Sequence, residues 1–230
     1  MKKKNKLNRP NIRKLITKEQ PKSPISEQYR TIRTNIAFSM VDQELQTLIC
    51  TSSNPSEGKS TTIANLAITF AQQGKKVLFI DADLRKPTVH YHFQIDNRNG
   101  LTSVLTKHIS LEEAIILTEI ENLWILPSGI IPPNPAELLG SKAMKDVIDK
   151  ATNLFDMIIF DAPPVLAVAD AQILGNICDG ALLVVRSNNT EKEELQKAKG
   201  LLDKANVNII GTVLNGVEQK DTSYYYYYGK

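Results

Sequence analysis

The chain has 230 residues, 42% of them hydrophobic, which supports one large globular domain and excludes a disordered or fibrous polypeptide. Cys50 and Cys178 stand in separate apolar stretches with no partner at CxxC or Cys/His spacing, so they read as buried reduced thiols of a cytosolic protein rather than a zinc module or disulfide framework. The basic start is followed by no apolar run, and no segment is long and apolar enough to span a bilayer, so neither a signal peptide nor a membrane span is expected.

The net charge of +3 hides an asymmetry. Residues 1–33 carry eleven Lys/Arg against two Asp/Glu, and the remainder carries seventeen against twenty-three. Residues 1–22, with Pro10 and Pro21, read as a flexible basic arm that suits an anionic surface or is simply solvated. The arm lacks interleaved aromatics, so nucleic acid is not an expected partner. Ser23 or Ser26 caps a helix running to about Phe38, with Ile25, Tyr29, Ile32 and Ile36 as its apolar stripe. Short apolar runs then alternate with helical patterns. The expected strands are Thr47–Thr51, Lys76–Ile80, Leu123–Leu126, Met157–Phe160, Ala181–Val185 and Asn208–Leu214. The expected helices are Lys59–Gln72, Leu111–Leu117, Pro135–Ala151, Asp170–Ile177 and Glu191–Ala205, with Gly74 turning the chain after the first of these. Uninterrupted apolar strands mark a sheet covered on both faces. The fold class is therefore α/β, a mostly parallel sheet with helices on both faces, over a domain of residues 23–218. Residues 219–230 form a tyrosine-rich tail that reads as flexible.

The segment Ser52–Thr61 follows the first strand and opens the first helix of this alternation, where backbone N–H groups and a helix N-terminus meet an anion. Ser56, Glu57, Gly58, Lys59, Ser60 and Thr61 are the candidate nucleotide-binding residues. Gly58 lets the backbone approach, Lys59 supplies charge to the β/γ-phosphates, and the Ser60 hydroxyl is suited to Mg²⁺. Ser53 stands where the usual phosphate-loop pattern has its first glycine. Strand ends deliver Asp81, Asp83 and Asp161 to the same sheet edge, where carboxylates hold Mg²⁺ or accept a proton from an attacking hydroxyl. The expected metal residues are Ser60, Asp81 and Asp161. The expected catalytic residues are Lys59, Asp81, Asp83 and Asp161, with the choice of base between Asp81 and Asp83 open. Arg85 and Lys86 either steer the reacting groups or form a surface ion pair. His90 and His92, beside Tyr91, read as surface or loop residues without a third ligand, and Trp124 as core.

Five consecutive tyrosines, Tyr224, Tyr225, Tyr226, Tyr227 and Tyr228, stand almost at the end of the chain. Neighbouring side chains on a strand point to opposite faces, so such a run suits an accessible tail better than a core. Together with a phosphate loop, it suggests that the tail receives phosphate, with all five tyrosines as candidate acceptors.

These motifs resemble the bacterial tyrosine kinases, the BY-kinase family of capsule and exopolysaccharide systems. The resemblance rests on the phosphate loop lacking its first glycine, on Asp81-x-Asp83-x-Arg85, on Asp161-x-Pro163-Pro164, on the tyrosine cluster, and on Glu27-x-x-Arg30-x-x-Arg33 in the N-terminal helix. It extends from about Ser23 to the end of the chain. It implies a P-loop NTPase-like fold, ATP and Mg²⁺ as cofactors, and autophosphorylation of Tyr224, Tyr225, Tyr226, Tyr227 and Tyr228 between subunits. It further implies a ring-shaped homo-oligomer closed through Glu27, Arg30 and Arg33, a membrane adaptor with a cytoplasmic tail, a phosphotyrosine phosphatase, and protein tyrosine substrates. The kinase would be cytoplasmic and recruited to the inner face of the membrane. In related P-loop ATPases an amide at the position of Asn215 contacts adenine; a turn-forming Asn before Gly216 is the alternative. The rival readings are a ParA/MinD-type ATPase switch, whose signature lysine is replaced here by Asn54, and a nucleotide-binding scaffold without catalysis.

Overall fold

The computed structural model describes residues 15–39 and 45–218. Along the chain run α1 (Ile16–Glu19), α2 (Pro24–Ser39), β1 (Thr47–Ser52), α3 (Lys59–Ala71), β2 (Val77–Asp81), α4 (Val89–Phe93), α5 (Leu101–Leu105), α6 (Leu111–Ala114), β3 (Ile116–Leu117), β4 (Leu123–Leu126), α7 (Pro135–Leu139), α8 (Lys142–Thr152), β5 (Met157–Asp161), α9 (Asp170–Gly175), β6 (Gly180–Arg186), α10 (Lys192–Lys204) and β7 (Ile209–Asn215). The strands form one sheet in the order β3-β4-β2-β5-β1-β6-β7. Every pairing is parallel except that of β3 with β4.

Alternation along the inner strands builds two cores. Leu78, Ile80, Ile158 and Phe160 join one apolar cluster with α5 to α10, while Val77, Phe79, Met157 and Ile159 join another with α1 to α3. A fully buried strand must be apolar on both sides, which is why these runs show no polar alternation. The register of β2 against β5 pairs Asp81 with Asp161 on one rung at the carboxyl edge. Both carboxylates thereby continue the face that α3 covers.

Several expected elements are corrected. Leu111–Leu117 is not one helix: α6 ends at Ala114, and Ile116 and Leu117 pair antiparallel with Ile125 and Trp124. The unpaired edge of β4 outweighs local helical preference there. Pro135–Ala151 divides into α7 and α8, because Ser141 starts a new helix by accepting a hydrogen bond from the Met144 amide. Neither α4 nor α5 is among the expected helices; each is five residues long, too short to show a period. Ser23, not Ser26, caps α2, accepting from the Ser26 amide, and Ile25 is exposed while Ile36 is buried. Part of the expected arm is folded: Leu15 and Thr17 are buried, and Thr17 bonds to Asn65 of α3 through both its amide and its hydroxyl. His90 and His92 lie on α4, and His92 is buried rather than on the surface. Trp124 is half-buried and packs edge-on against Phe155. Cys50 and Cys178 are buried free thiols, and Gly74 adopts the expected left-handed conformation after α3.

Candidate active site

The loop between β1 and α3 wraps around Gly58. That residue has φ +92°, and a Cβ there would lie 2.0 Å from Asn215 Nδ2, so both conformation and space demand glycine. Asn215 Nδ2 donates to the Glu57 carbonyl at 2.9 Å, tying the end of β7 to the loop. Asn215 thus meets the phosphate loop itself, and the cavity described below is lined by other residues. Glu57 is also turned inward. It is fully buried, and its carboxylate accepts from the Ser53 amide and the Thr190 hydroxyl at 2.9 and 2.6 Å. Ser53, in the place of the first glycine, is held in the loop through that bond. Ser56 at the loop tip carries the left-handed φ of 66°, and its carbonyl accepts from Arg186 Nη1.

Lys59 begins α3, and its ammonium lies 3.1 Å from Asp161 Oδ1, 3.2 Å from Asp83 Oδ2 and 3.3 Å from Ser60 Oγ. Three segments distant in sequence therefore converge on one nitrogen. Burial disfavours the ammonium's charge, but Asp161, Asp83 and Asp81 outweigh it and raise the Lys59 pKa. Asp161 is raised chiefly by burial, against the opposing pull of Lys59 and Ser60. Asp81 is pushed up to about 8, first by burial and then by the charge of Asp161.

The three carboxylates differ in what they can still do. Asp81 is fully buried; Oδ2 accepts the Thr88 and Val89 amides at 3.0 and 2.9 Å, and Oδ1 accepts the Asp83 amide at 3.3 Å. Asp83 retains slight exposure and lines the cavity, with Oδ1 accepting the Lys86 amide. Asp161 Oδ2 is buried with no hydrogen-bond partner. An orphaned carboxylate oxygen on Asp161, in a site that also holds the Ser60 hydroxyl beside Lys59, is hard-oxygen chemistry that suits Mg²⁺. Among the described residues no cluster of three His, Cys, Asp or Glu forms a metal cage. Mg²⁺ at a nucleotide site requires none, since one or two protein ligands suffice beside phosphates and water.

A cavity of about 640 Å³ opens over these groups, lined by Pro55, Ser56, Gly58, Lys59, Ser60 and Thr61, by Asp83, Arg85, Lys86 and Thr88, and by Pro163, Pro164, Ala167 and Val168. Its size is that of a small-molecule site. A cavity of about 720 Å³ beside α5, α6 and α8 is larger, but Lys107, Glu113 and Asp146 in its lining form no ion pair among the described residues, so the chemistry points to the first.

Arg85 forms the ion pair foreseen as an alternative, with a partner that sequence reasoning missed. Its Nε and Nη2 reach the two oxygens of Asp170 at 2.9 and 3.0 Å, and Asp170 is fully buried at the start of α9. Thr190 and Glu194 were missed as well; Glu194 accepts from Asn54 Nδ2 at 2.7 Å. Both lie in an ordinary helix-capping stretch, and their only other signal is spatial. Asn54, the position that separates this chain from the switch ATPases, is thus bonded within its own subunit.

Away from the cavity, Arg30 bonds to Glu27 at 2.8 Å and to the Pro21 carbonyl, while Arg33 crosses to the Thr69 carbonyl of α3 at 2.6 Å. Glu27 remains largely exposed. The five candidate phosphoacceptors, Tyr224, Tyr225, Tyr226, Tyr227 and Tyr228, all lie outside the described residues.

A family profile described as an AAA domain matches residues 49–198. The chain is 56% identical to "Tyrosine-protein kinase YwqD" of Bacillus subtilis (strain 168), over 94% of this chain and 92% of that protein. It is 42% identical to "Putative tyrosine-protein kinase CapB" of Staphylococcus aureus, over 95% and 96%. The crystal structure of the chimerical protein CapA2B2 superposes with TM-score 0.84 at 45% identity, covering 87% of this chain and 88% of that one. The septum site-determining protein MinD of Pyrococcus horikoshii, complexed with Mg-ADP, shares the fold at TM-score 0.65 and 27% identity, over 76% and 72% of the two chains. The P-loop NTPase-like architecture is common to all of these, but kinship along nearly the whole length lies with the kinases. The chain belongs to the bacterial tyrosine kinase family, the BY-kinases.

Proposed function

We propose that this chain is an ATP-dependent protein-tyrosine kinase that phosphorylates its own C-terminal tyrosines, Tyr224, Tyr225, Tyr226, Tyr227 and Tyr228, between subunits. One observation carries the reading most: Lys59 and Asp83, on the wall of a nucleotide-sized cavity, meet with the buried Asp161 behind them, each carboxylate within 3.2 Å of the ammonium, in a chain 56% identical to a tyrosine-protein kinase. Ser56 to Thr61 cradle the phosphates of ATP, with Lys59 neutralising charge as the γ-phosphoryl moves. Ser60 and Asp161 would hold Mg²⁺, with Asp81 behind them, and the ion would supply charge neutralisation. Asp83 is favoured over Asp81 as the proton acceptor, because Asp83 lines the cavity while Asp81 is fully buried. The phenol oxygen bonds to phosphorus, the bond to the β-phosphate oxygen breaks, ADP leaves, and the phenol proton passes to the carboxylate. Asn215 acts on nucleotide through the shape of the loop.

Phosphotyrosine mapping by mass spectrometry after incubation with Mg-ATP tests this, comparing the native chain with Lys59→Met, with and without the cytoplasmic segment of a candidate adaptor. Phosphate on Tyr224–Tyr228 is expected, falling about 100-fold or more in the variant. ATP hydrolysis with an unmodified tail, adaptor present, would transfer the assignment to an ATPase switch.

The exposed Glu27–Arg30 face of α2 supports a homo-oligomeric ring, and the family resemblance supports a membrane adaptor, a phosphatase and a role in capsular or exopolysaccharide synthesis at the inner membrane face. Among the described residues no helix is long and apolar enough to cross a membrane, consistent with recruitment through a partner. Full tail phosphorylation adds on the order of −8 to −10 charges and so loosens the ring. Light scattering reads both claims. Glu27→Ala should shrink the particle, and phosphorylated protein should be smaller than protein with its tail tyrosines changed to Phe. Equal masses would discard the ring contact or the electrostatic switch, respectively.

A further inference from the structure

A glutamate stands directly before Gly58-Lys59, within the phosphate loop. If its carboxylate turned outward, it would add negative charge where the loop must attract it. In the structure it turns inward and is fully buried. Glu57 Oε2 accepts the Ser53 amide at 2.9 Å, and Oε1 accepts the Thr190 hydroxyl at 2.6 Å. The Thr190 hydroxyl also accepts the Arg186 amide at 3.0 Å. A hydroxyl has a single proton to donate, and the Arg186 contact is already supplied by an N–H. The Thr190 proton is therefore committed to Glu57, and a relay runs from Arg186 N–H through Thr190 to the carboxylate.

We propose that Thr190 is a positioning residue for nucleotide binding: it keeps the Glu57 carboxylate folded into the phosphate loop and away from the phosphates of a nucleoside di- or triphosphate. This deepens the nucleotide reading and rests on it. Thr190 lies on the segment between β6 and α10, far in sequence from the loop it restrains, and it does not line the cavity. The elements that flank this segment supply two further ties, from the end of β6 and the first turn of α10. Arg186 Nη1 donates to the Ser56 carbonyl, and Glu194 accepts from Asn54. Neither of those holds a charge out of the way; Thr190 alone among the three bonds to the carboxylate.

The buried carboxylate also gives the Ser53 amide an internal acceptor, which holds the chain at that point of the loop.

The test is Mg-ADP binding by calorimetry to the full chain, with Thr190→Val, Thr190→Ser, Glu57→Gln and the double variant Thr190→Val/Glu57→Gln. Thr190→Val keeps the shape and removes the hydroxyl; it should weaken binding about 10-fold. Thr190→Ser should restore affinity to within about 2-fold, because the donor returns. In the Glu57→Gln background no charge is released, so Thr190→Val should cost less than about 3-fold. Equal losses in the two backgrounds would overturn the proposal, since they would mark a packing effect independent of the carboxylate. Native-like binding by Thr190→Val would overturn it too. Should Thr190→Val lower the yield of folded protein, Thr190→Ala, which adds no apolar surface, carries the same comparison. A native chain that fails to bind Mg-ADP would instead remove the nucleotide reading, and this inference with it.

Discussion

The phosphate loop and the Asp83–Thr88 loop line the same cavity, yet they are braced by different kinds of bond. The phosphate loop is held by hydrogen bonds spread over Asn215, Thr190, Arg186 and Glu194. The other loop is held by a bidentate ion pair, Arg85 with Asp170, and by amides closing on Asp81 and Asp83. A distributed brace loses little when one bond goes. A charge brace concentrates the risk in one place, because a fully buried carboxylate left without its partner has no solvent to turn to. Under the proposed function, the first arrangement suits a loop that adjusts to a phosphate, and the second suits a carboxylate that stays in register with Lys59.

The largest expected effect breaks the charge brace, and it is asymmetric. Arg85→Leu strands the buried Asp170 carboxylate and should cost about 2–3 kcal/mol, less than a fully buried pair because the arginine is partly exposed. Asp170→Asn removes the charge at its buried end and leaves an arginine that water can reach; it should cost only about 1 kcal/mol. Urea denaturation of both variants measures the difference, and equal losses would mean that burial of Asp170 is not what makes the pair vulnerable. Next comes Asn54→Ala, which removes one of several ties on the phosphate loop and should lower stability by about 1 kcal/mol or less in the same assay. A loss as large as that of Arg85→Leu would show that the loop brace is not distributed. The smallest effect has the opposite sign. Ser56→Gly should stabilise by about 0.5 kcal/mol, since glycine tolerates the left-handed backbone that serine adopts there while losing more conformational freedom on folding. A thermal melt reads it as a small rise in Tm, and a fall would mean that the Ser56 conformation is not strained.

The chemistry of the site was legible where it is contiguous. Gly58, Lys59 and Ser60 announce a phosphate loop because an anion site at a helix N-terminus needs glycine, cation and hydroxyl within a few residues. Asp81, Asp83 and Asp161 were legible because each stands at or just beyond the end of an apolar strand, and parallel strands deliver their carboxyl ends to one edge. The differing state of those carboxylates was not legible. Nothing in the residue order says that Asp81 accepts the Thr88 and Val89 amides, or that Asp161 Oδ2 is left without a partner.

By itself, the sequence determined the α/β class, the central strands and the loop that opens α3, since hydrophobic period and local motif act over short distances. Tertiary structure alone decided what surrounds them. The open edge of β4 drew Ile116 and Leu117 out of a helix; Arg85 found Asp170 across 85 positions, and Thr190 reached Glu57 across 133. Such contacts depend on where the sheet brings distant loops together, and that arrangement exists only once the two cores have packed around it.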